Sequence, residues 1–161
     1  MVQPGAVEFV REDPNSELAT QLLRHYFDEL ESRMPDDFDV DQMLAAPPDE
    51  LEPPYGAFLV ARMDGRPVGC GAVRKLDEQT GEVKRMWIDP SARGRGVGRR
   101  LLFALESVAS DLGCRRVRLD TSSYLTEALA LYLSCGYQEI AAYNDNPYAA
   151  YWFEKWFARS I

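Results

Sequence analysis

Histidine is nearly absent: His25 is the only one in 161 residues. A catalytic triad would need that one residue to serve as base, and a histidine-rich metal centre has nothing to build on. Cysteine is scarce too. Cys70, Cys114 and Cys135 are odd in number and lack metal-type spacing, so free thiols in a reducing cytoplasm are expected, with no metal site. No stretch approaches the ~18 apolar residues of a membrane span, and the first ten residues do not read as a secretory signal. Positive charge is in deficit: the net charge is -8, which disfavours a polyanion partner such as nucleic acid. What is present fits one compact domain over residues 1–161, with 46% hydrophobic and 27% charged residues.

The apolar pattern has two rhythms. Residues 7–11 read as a first strand. Asp13-Pro14 then reads as an N-cap followed by proline at the first helical position. Leu18, Leu22, Tyr26 and Leu30 recur at helical spacing to about Ser32. A shorter helix is predicted over 38–45, ended by Pro47-Pro48, with a stiff proline-rich connection over 47–54. Residues 57–62 and 67–76 form a hairpin around Asp64-Gly65, a strong turn signal. A turn at Thr80-Gly81 leads to a third strand over 82–88. Leu101, Leu102, Leu105, Val108 and Leu112 then mark an amphipathic helix closed by Gly113. A strand over 116–120, a helix over 128–134 closed by Gly136, and strands over 137–142 and 150–157 complete the chain. The order β-α-α-β-β-β-α-β-α-β-β describes an α/β (α+β) protein whose mixed sheet carries helices on its faces.

One segment runs against the acidic average. Lys84, Arg85, Arg93, Arg95, Arg99 and Arg100 cluster around Arg93-Gly94-Arg95-Gly96-Val97-Gly98, between a strand and a helix. Glycine lets a backbone approach a ligand closely, and a helix start offers unpaired N–H groups with partial positive charge. Together they suit a phosphate or pyrophosphate. A Walker loop requires Gly-Lys-Ser/Thr, whereas Gly98 is followed by Arg99-Arg100. A dinucleotide fingerprint requires a third glycine where Arg99 stands, and three meander strands precede this loop where a βαβ unit is expected. The remaining pattern, Arg/Gln-x-x-Gly-x-Gly/Ala, is matched by Arg93-x-x-Gly96-x-Gly98.

Residues 82–102, EVKRMWIDPSARGRGVGRRLL, closely resemble the central strand-loop-helix of the GNAT superfamily of acetyltransferases. Ala128-x-x-Leu131-Tyr132 followed by Gly136-Tyr137-x-Glu139 resembles the family's later helix and strand at the expected distance. The resemblance implies a mixed, mostly antiparallel sheet of about seven strands flanked by about four helices, with acetyl-CoA as acyl donor and an amine as acceptor. It implies that amides of Arg93, Gly94, Arg95, Gly96, Val97, Gly98 and Arg99 hold the CoA pyrophosphate. Backbone groups of Met86, Trp87 and Ile88 would pair with pantetheine, and one N–H there would polarise the thioester carbonyl. Tyr132 matches the family's general acid. Glu82 falls where some members carry a base, and is otherwise a strand-end charge; Glu139 and Glu154 are weaker candidates.

One position departs from the pattern. Where many members carry an asparagine that contacts the pantetheine arm, this chain has Leu125, with Thr121 and Ser122 as candidate substitutes for that contact. The turn-rich stretch Tyr143-Asn144-Asp145-Asn146-Pro147-Tyr148 corresponds to a loop over the acceptor site, where Asn144, Asp145 and Asn146 either bind a polar acceptor or perform ordinary turn chemistry. Tyr151, Trp152, Phe153 and Trp156 on the last strand suit a core or a homodimer contact. The alternative to an enzyme is a GNAT-like module that holds acyl-CoA without turnover.

Overall fold

A computed structural model describes residues 6–34 and 49–158. The helix predicted over 38–45 and the prolines at 47 and 48 lie outside the described residues. In chain order the elements are β1 (Val7–Arg11), α1 (Glu17–Arg33), β2 (Gly56–Met63), β3 (Arg66–Lys75), β4 (Thr80–Ile88), α2 (Val97–Asp111), β5 (Arg116–Thr121), α3 (Thr126–Ser134), β6 (Gln138–Ile140) and β7 (Tyr151–Trp156).

The strands form one seven-stranded sheet in the order β1-β2-β3-β4-β5-β7-β6. Only β4 and β5 run parallel. The predicted hairpin is present: Asp64 and Gly65 both take positive φ, 52° and 79°, as a tight turn matched to strand twist requires. The helix start falls later than predicted. Asp13 closes a turn by accepting from the Asn15 amide (2.8 Å), and Ser16 is the N-cap, accepting from the Ala19 amide at 3.0 Å. Such a cap contributes about 1 kcal/mol.

Each face of the sheet has its own core. On one side α2 and α3 cover Val73, Val83, Val117, Leu119 and Phe153, with Leu101, Leu102 and Leu105 fully buried between. On the other, Ala19, Leu22, Leu23, Phe27 and Leu30 of α1 pack on Phe58, Val60, Cys70, Ala72 and Trp87. All three cysteines are free and buried.

A bulge in β4 decides which side chains reach which face. Ala72 pairs with Lys84 but Cys70 pairs with Trp87, so Arg85 and Met86 together oppose Gly71. Arg85 sits in the left-handed region at φ 58°, a cost of about 1–3 kcal/mol for a non-glycine residue. Strict alternation would place Trp87 on the same face as Val83. The extra residue sends Trp87 to the α1 face and leaves Met86 and Ile88 with the α2 side.

Gly69 holds this end of β4 in place. A Cβ there would lie 2.6 Å from the Trp87 carbonyl oxygen and 2.8 Å from Ile88 Cδ1. Gly69→Ala is therefore expected to cost about 1–3 kcal/mol in chemical denaturation, because the obstacle is backbone.

Candidate active site

The loop after β4 is shaped by short-range bonds. Asp89 Oδ1 accepts from the Ser91 amide (2.9 Å) and hydroxyl (2.6 Å), which sets a single 3₁₀ turn at Pro90–Ala92. Gly94 and Gly96 follow with φ of 78° and 77°, and a Cβ on either would meet nothing within 4 Å. Glycine is needed there for conformation, not for space. Gly96 is the N-cap of α2 and no side chain caps the helix; its first turn has no acidic residue. The first amides of α2 and its dipole are thus left for an anion.

Beyond this loop the sheet opens. β4 and β5 pair only at Thr80–Arg116, Gly81–Val117 and Glu82–Arg118. Past Glu82 the two strands separate, and β4 has no strand partner on that side. Two cavities occupy the gap. One, of about 340 Å³, runs along Met86, Trp87 and Ile88 to Gly94, Gly96 and Gly98. The other, of about 400 Å³, lies between α1 and the loop before β7 and reaches Glu82, Arg85 and Asp120. Both are walled by Tyr26, Leu30, Met86, Leu125, Ala128 and Tyr132, so they meet at the Tyr132 side chain.

Tyr132 is buried from α3 against Tyr137 and Phe153. Its phenol makes no hydrogen bond among the described residues. Burial, with the Asp120 charge nearby, pushes its pKa well above the ordinary tyrosine value. Tyr26 is raised for the same first reason, and feels Tyr132, Arg85 and Asp120.

The chain matches the Acetyltransferase (GNAT) family profile over residues 16–137. It is 34% identical over 146 residues to an IAA acetyltransferase of Azospirillum brasilense, covering 88% of this chain and 92% of that one. It is 31% identical over 110 residues to an aminoglycoside N(6')-acetyltransferase type 1 of Stenotrophomonas maltophilia, covering 63% and 72%. Its fold superposes with a TM-score of 0.75 on PaiA N-acetyltransferase of Thermoplasma acidophilum in complex with coenzyme A, at 15% identity, covering 94% and 99% of the two chains. The chain belongs to the GNAT acetyltransferase family. GNAT proteins are acetyl-CoA-dependent acyltransferases, and this one is an acyltransferase by that membership.

The residues singled out in this GNAT sequence divide clearly in space. Met86, Trp87, Ile88, Arg93, Gly94, Gly96, Val97 and Gly98 line the first cavity. Arg93 is not a free cation: its Nη2 pairs with Glu29 of α1 and its Nε donates to the Ile88 carbonyl at 2.8 Å. Arg95 Nη1 contacts Met63 Sδ (3.6 Å), Arg99 Nη2 donates to Ser134 Oγ (2.8 Å), and Arg100 lies 6.0 Å over the Phe9 ring. None of these three has a carboxylate partner among the described residues.

Glu82 lines the second cavity, but both its oxygens are engaged: Oε1 accepts from Arg74 Nε (2.8 Å) and Oε2 from Tyr143 Oη (2.7 Å). Glu139 is exposed on β6, and Glu154 pairs with Arg116 and Arg118, so neither lines a cavity. Leu125 lines both cavities. Ser122 Oγ is committed to the Tyr124 amide (3.0 Å), whereas the buried Thr121 hydroxyl has no partner among the described residues.

Asn144 and Asn146 line the second cavity and hold Asp120, donating to its Oδ2 at 2.7 Å and its Oδ1 at 3.1 Å; Asp145 is exposed. Sequence reasoning missed Asp120, Tyr26 and Arg85. Asp120 lies on the half-exposed face of β5, opposite Val117 and Leu119, and that alternation was the available signal. Among the described residues no group of His, Cys, Asp and Glu is arranged to hold a metal, and no helix is long and apolar enough to cross a membrane.

Tyr26, Tyr132, Tyr137 and Tyr143 are all raised, with burial the largest cause in each; Glu106 adds to it at Tyr137 and Glu82 at Tyr143. Raised folded values favour the neutral phenol. Their contribution to stability is complete below the unfolded value of about 10 and is lost as pH rises above it. A phenolate titration at 295 nm is expected to show the native protein short of the unfolded chain's signal by these four residues at pH 11. Unfolding free energy is expected to fall with pH above about 10.

Proposed function

We propose that this GNAT protein transfers the acetyl group of acetyl-CoA directly to a primary amine, with donor and acceptor bound together. The observation that carries this reading is the meeting of two cavities of different character at one buried phenol, Tyr132. The first cavity joins a helix start with no side-chain cap to an apolar channel along an unpartnered strand, which fits a pyrophosphate on a long, thin arm. The second is lined by charged side chains of both signs, and its carboxylates, Glu82 and Asp120, fit an amine.

Acetyl-CoA supplies the activated acyl group. The first amides of α2, with Arg95 and Arg99 beside them, hold its phosphates. The β4 backbone at Met86, Trp87 and Ile88 aligns the arm, and an N–H there stabilises charge on the carbonyl oxygen. Leu125 gives this arm an apolar neighbour where an asparagine contact is common. Tyr132 Oη carries a proton for the departing sulfur, and burial keeps it protonated at any working pH. As the amine nitrogen forms the C–N bond and the C–S bond breaks, the nitrogen gives up one proton. Glu82 receives it, directly on release of Tyr143 or through water.

Acetyl-CoA-dependent thiol release tests this reading, with pooled amines, amino acids, polyamines and peptides as acceptors. Release with at least one pool is expected; coenzyme binding without release from any pool would mark a binding module instead. Tyr132→Phe is expected to lower kcat by about 10²-fold or more, with the KM for acetyl-CoA unchanged within threefold. Full turnover in that variant would remove Tyr132 as the acid. Glu82→Gln is expected to lower kcat/KM for the amine by about 10²-fold or more at neutral pH. Unchanged kcat/KM for the amine would remove Glu82 as the base.

A further inference from the structure

The second cavity contains charges that do not cancel locally. Three cations line it: Arg74, Lys84 and Arg85. Two carboxylates answer them. Arg74 binds Glu82 at 2.8 Å and Glu50 at 2.6 Å, and Lys84 lies 3.8 Å from Glu50 and 4.0 Å from Glu82. Arg85 is left over. Its guanidinium has no hydrogen bond or ion pair among the described residues and rests 5.7 Å over the Phe27 ring. On β5 the opposite imbalance occurs. Asp120 is met only by the neutral amides of Asn144 and Asn146 and has no cation within ion-pair distance among the described residues. The Tyr26 phenol feels both charges.

A half-buried unpaired guanidinium is costly, and so is a carboxylate tied down by amides alone. Both belong to the cavity wall. The β4 bulge holds Arg85 there in a left-handed conformation that arginine seldom adopts. The loop before β7 turns two asparagine side chains toward Asp120, and Asn144 is itself fixed by Trp152 Nε1 at 2.9 Å. Asp120 is the charge that Tyr132 feels, so it marks the reacting end; Arg85 is on the β4 bulge.

We infer that the acceptor is an amino acid: its amine is placed by Asp120 beside Tyr132, and its carboxylate is bound by Arg85 through a charge-assisted pair. This rests on the acetyl-transfer reading above and narrows its acceptor. The ligand brings one charge of each sign to a cavity whose described residues leave one of each unpaired, and its ammonium loses one proton to water before the amine attacks. A simple amine would leave Arg85 unpaired, and a polyamine would set a second cation against it.

The test compares three forms of the same side chain in the thiol-release assay: free amino acids, their carboxamides, and the matching decarboxylated amines. At least tenfold higher kcat/KM for the acids is expected. Arg85→Gln is expected to bring the acid-to-amide ratio close to one through a raised KM for the acid. Arg85→Lys, which restores the charge without the planar fork, is expected to recover part of the preference. Amides or amines used as well as acids by the native enzyme, or a preference that survives Arg85→Gln, would overturn the inference and leave acetyl transfer standing. Absence of thiol release from every acceptor, acids and amines alike, would overturn the reading beneath it and this inference with it.

Discussion

The site depends on the parting of two parallel strands. β4 and β5 share a ladder for three residue pairs and then diverge after Glu82. Backbone donors and acceptors in a protein interior need partners, and a strand that leaves its ladder opens a place for another extended molecule. α2 and α3 hold the wedge open: Leu101, Leu102 and Leu105 secure α2 to the sheet, and Tyr132 secures α3. The bulge at Arg85 and Met86 falls in the same stretch of β4. It turns Trp87 toward α1, where the indole stacks on His25 with ring centroids 5.2 Å apart, and leaves Met86 at the junction of the cavities. The lone histidine is therefore a packing partner for the groove wall.

Electrostatics sort residues that look alike in the sequence. Of the arginines around the glycine loop, Arg93 bonds to Glu29 and to the Ile88 carbonyl, and so ties the loop to α1 and β4. A second ion pair, Arg33 with Glu127 at 2.7 Å, ties α1 to α3 across the same groove. In the other cavity, burial, with Arg74 and Arg85 nearby, holds the Lys84 ammonium below the ordinary lysine range. An acidic chain thus carries a locally cationic wall around a few fixed carboxylates, and its net charge says little about its ligand.

Much of this was legible in advance. The glycine loop could be read because its conformational demands fall on glycine at alternate positions, Gly94 and Gly96, and because a strand and a periodic helix flank it. Tyr132 could be read because it falls inside a spaced motif. The bulge could not: nothing in Lys84-Arg85-Met86-Trp87 signals an extra residue, since bulge placement depends on the register against Gly71. Asp120 and Arg85 were invisible for a related reason. Their importance lies in which partners they lack, and that is set by the positions of Glu50, Asn144 and Asn146, far away in the chain. The expected start of α1 at Asp13 shows the same limit on a small scale, because two capping residues three apart competed and only local geometry chose Ser16.

The most direct test of the central claim is the affinity for acetyl-CoA, measured by titration calorimetry on Gly96→Asn and Gly96→Asp. The two side chains are nearly equal in shape, both tolerate positive φ, and they differ by one negative charge at the start of α2. The negative charge of aspartate is favourable at a helix start, so Gly96→Asp is expected to be at least as stable as Gly96→Asn. If the helix start holds the pyrophosphate, the asparagine variant binds acetyl-CoA and the aspartate variant binds it at least tenfold more weakly despite its stable fold. Equal affinities would contradict the account.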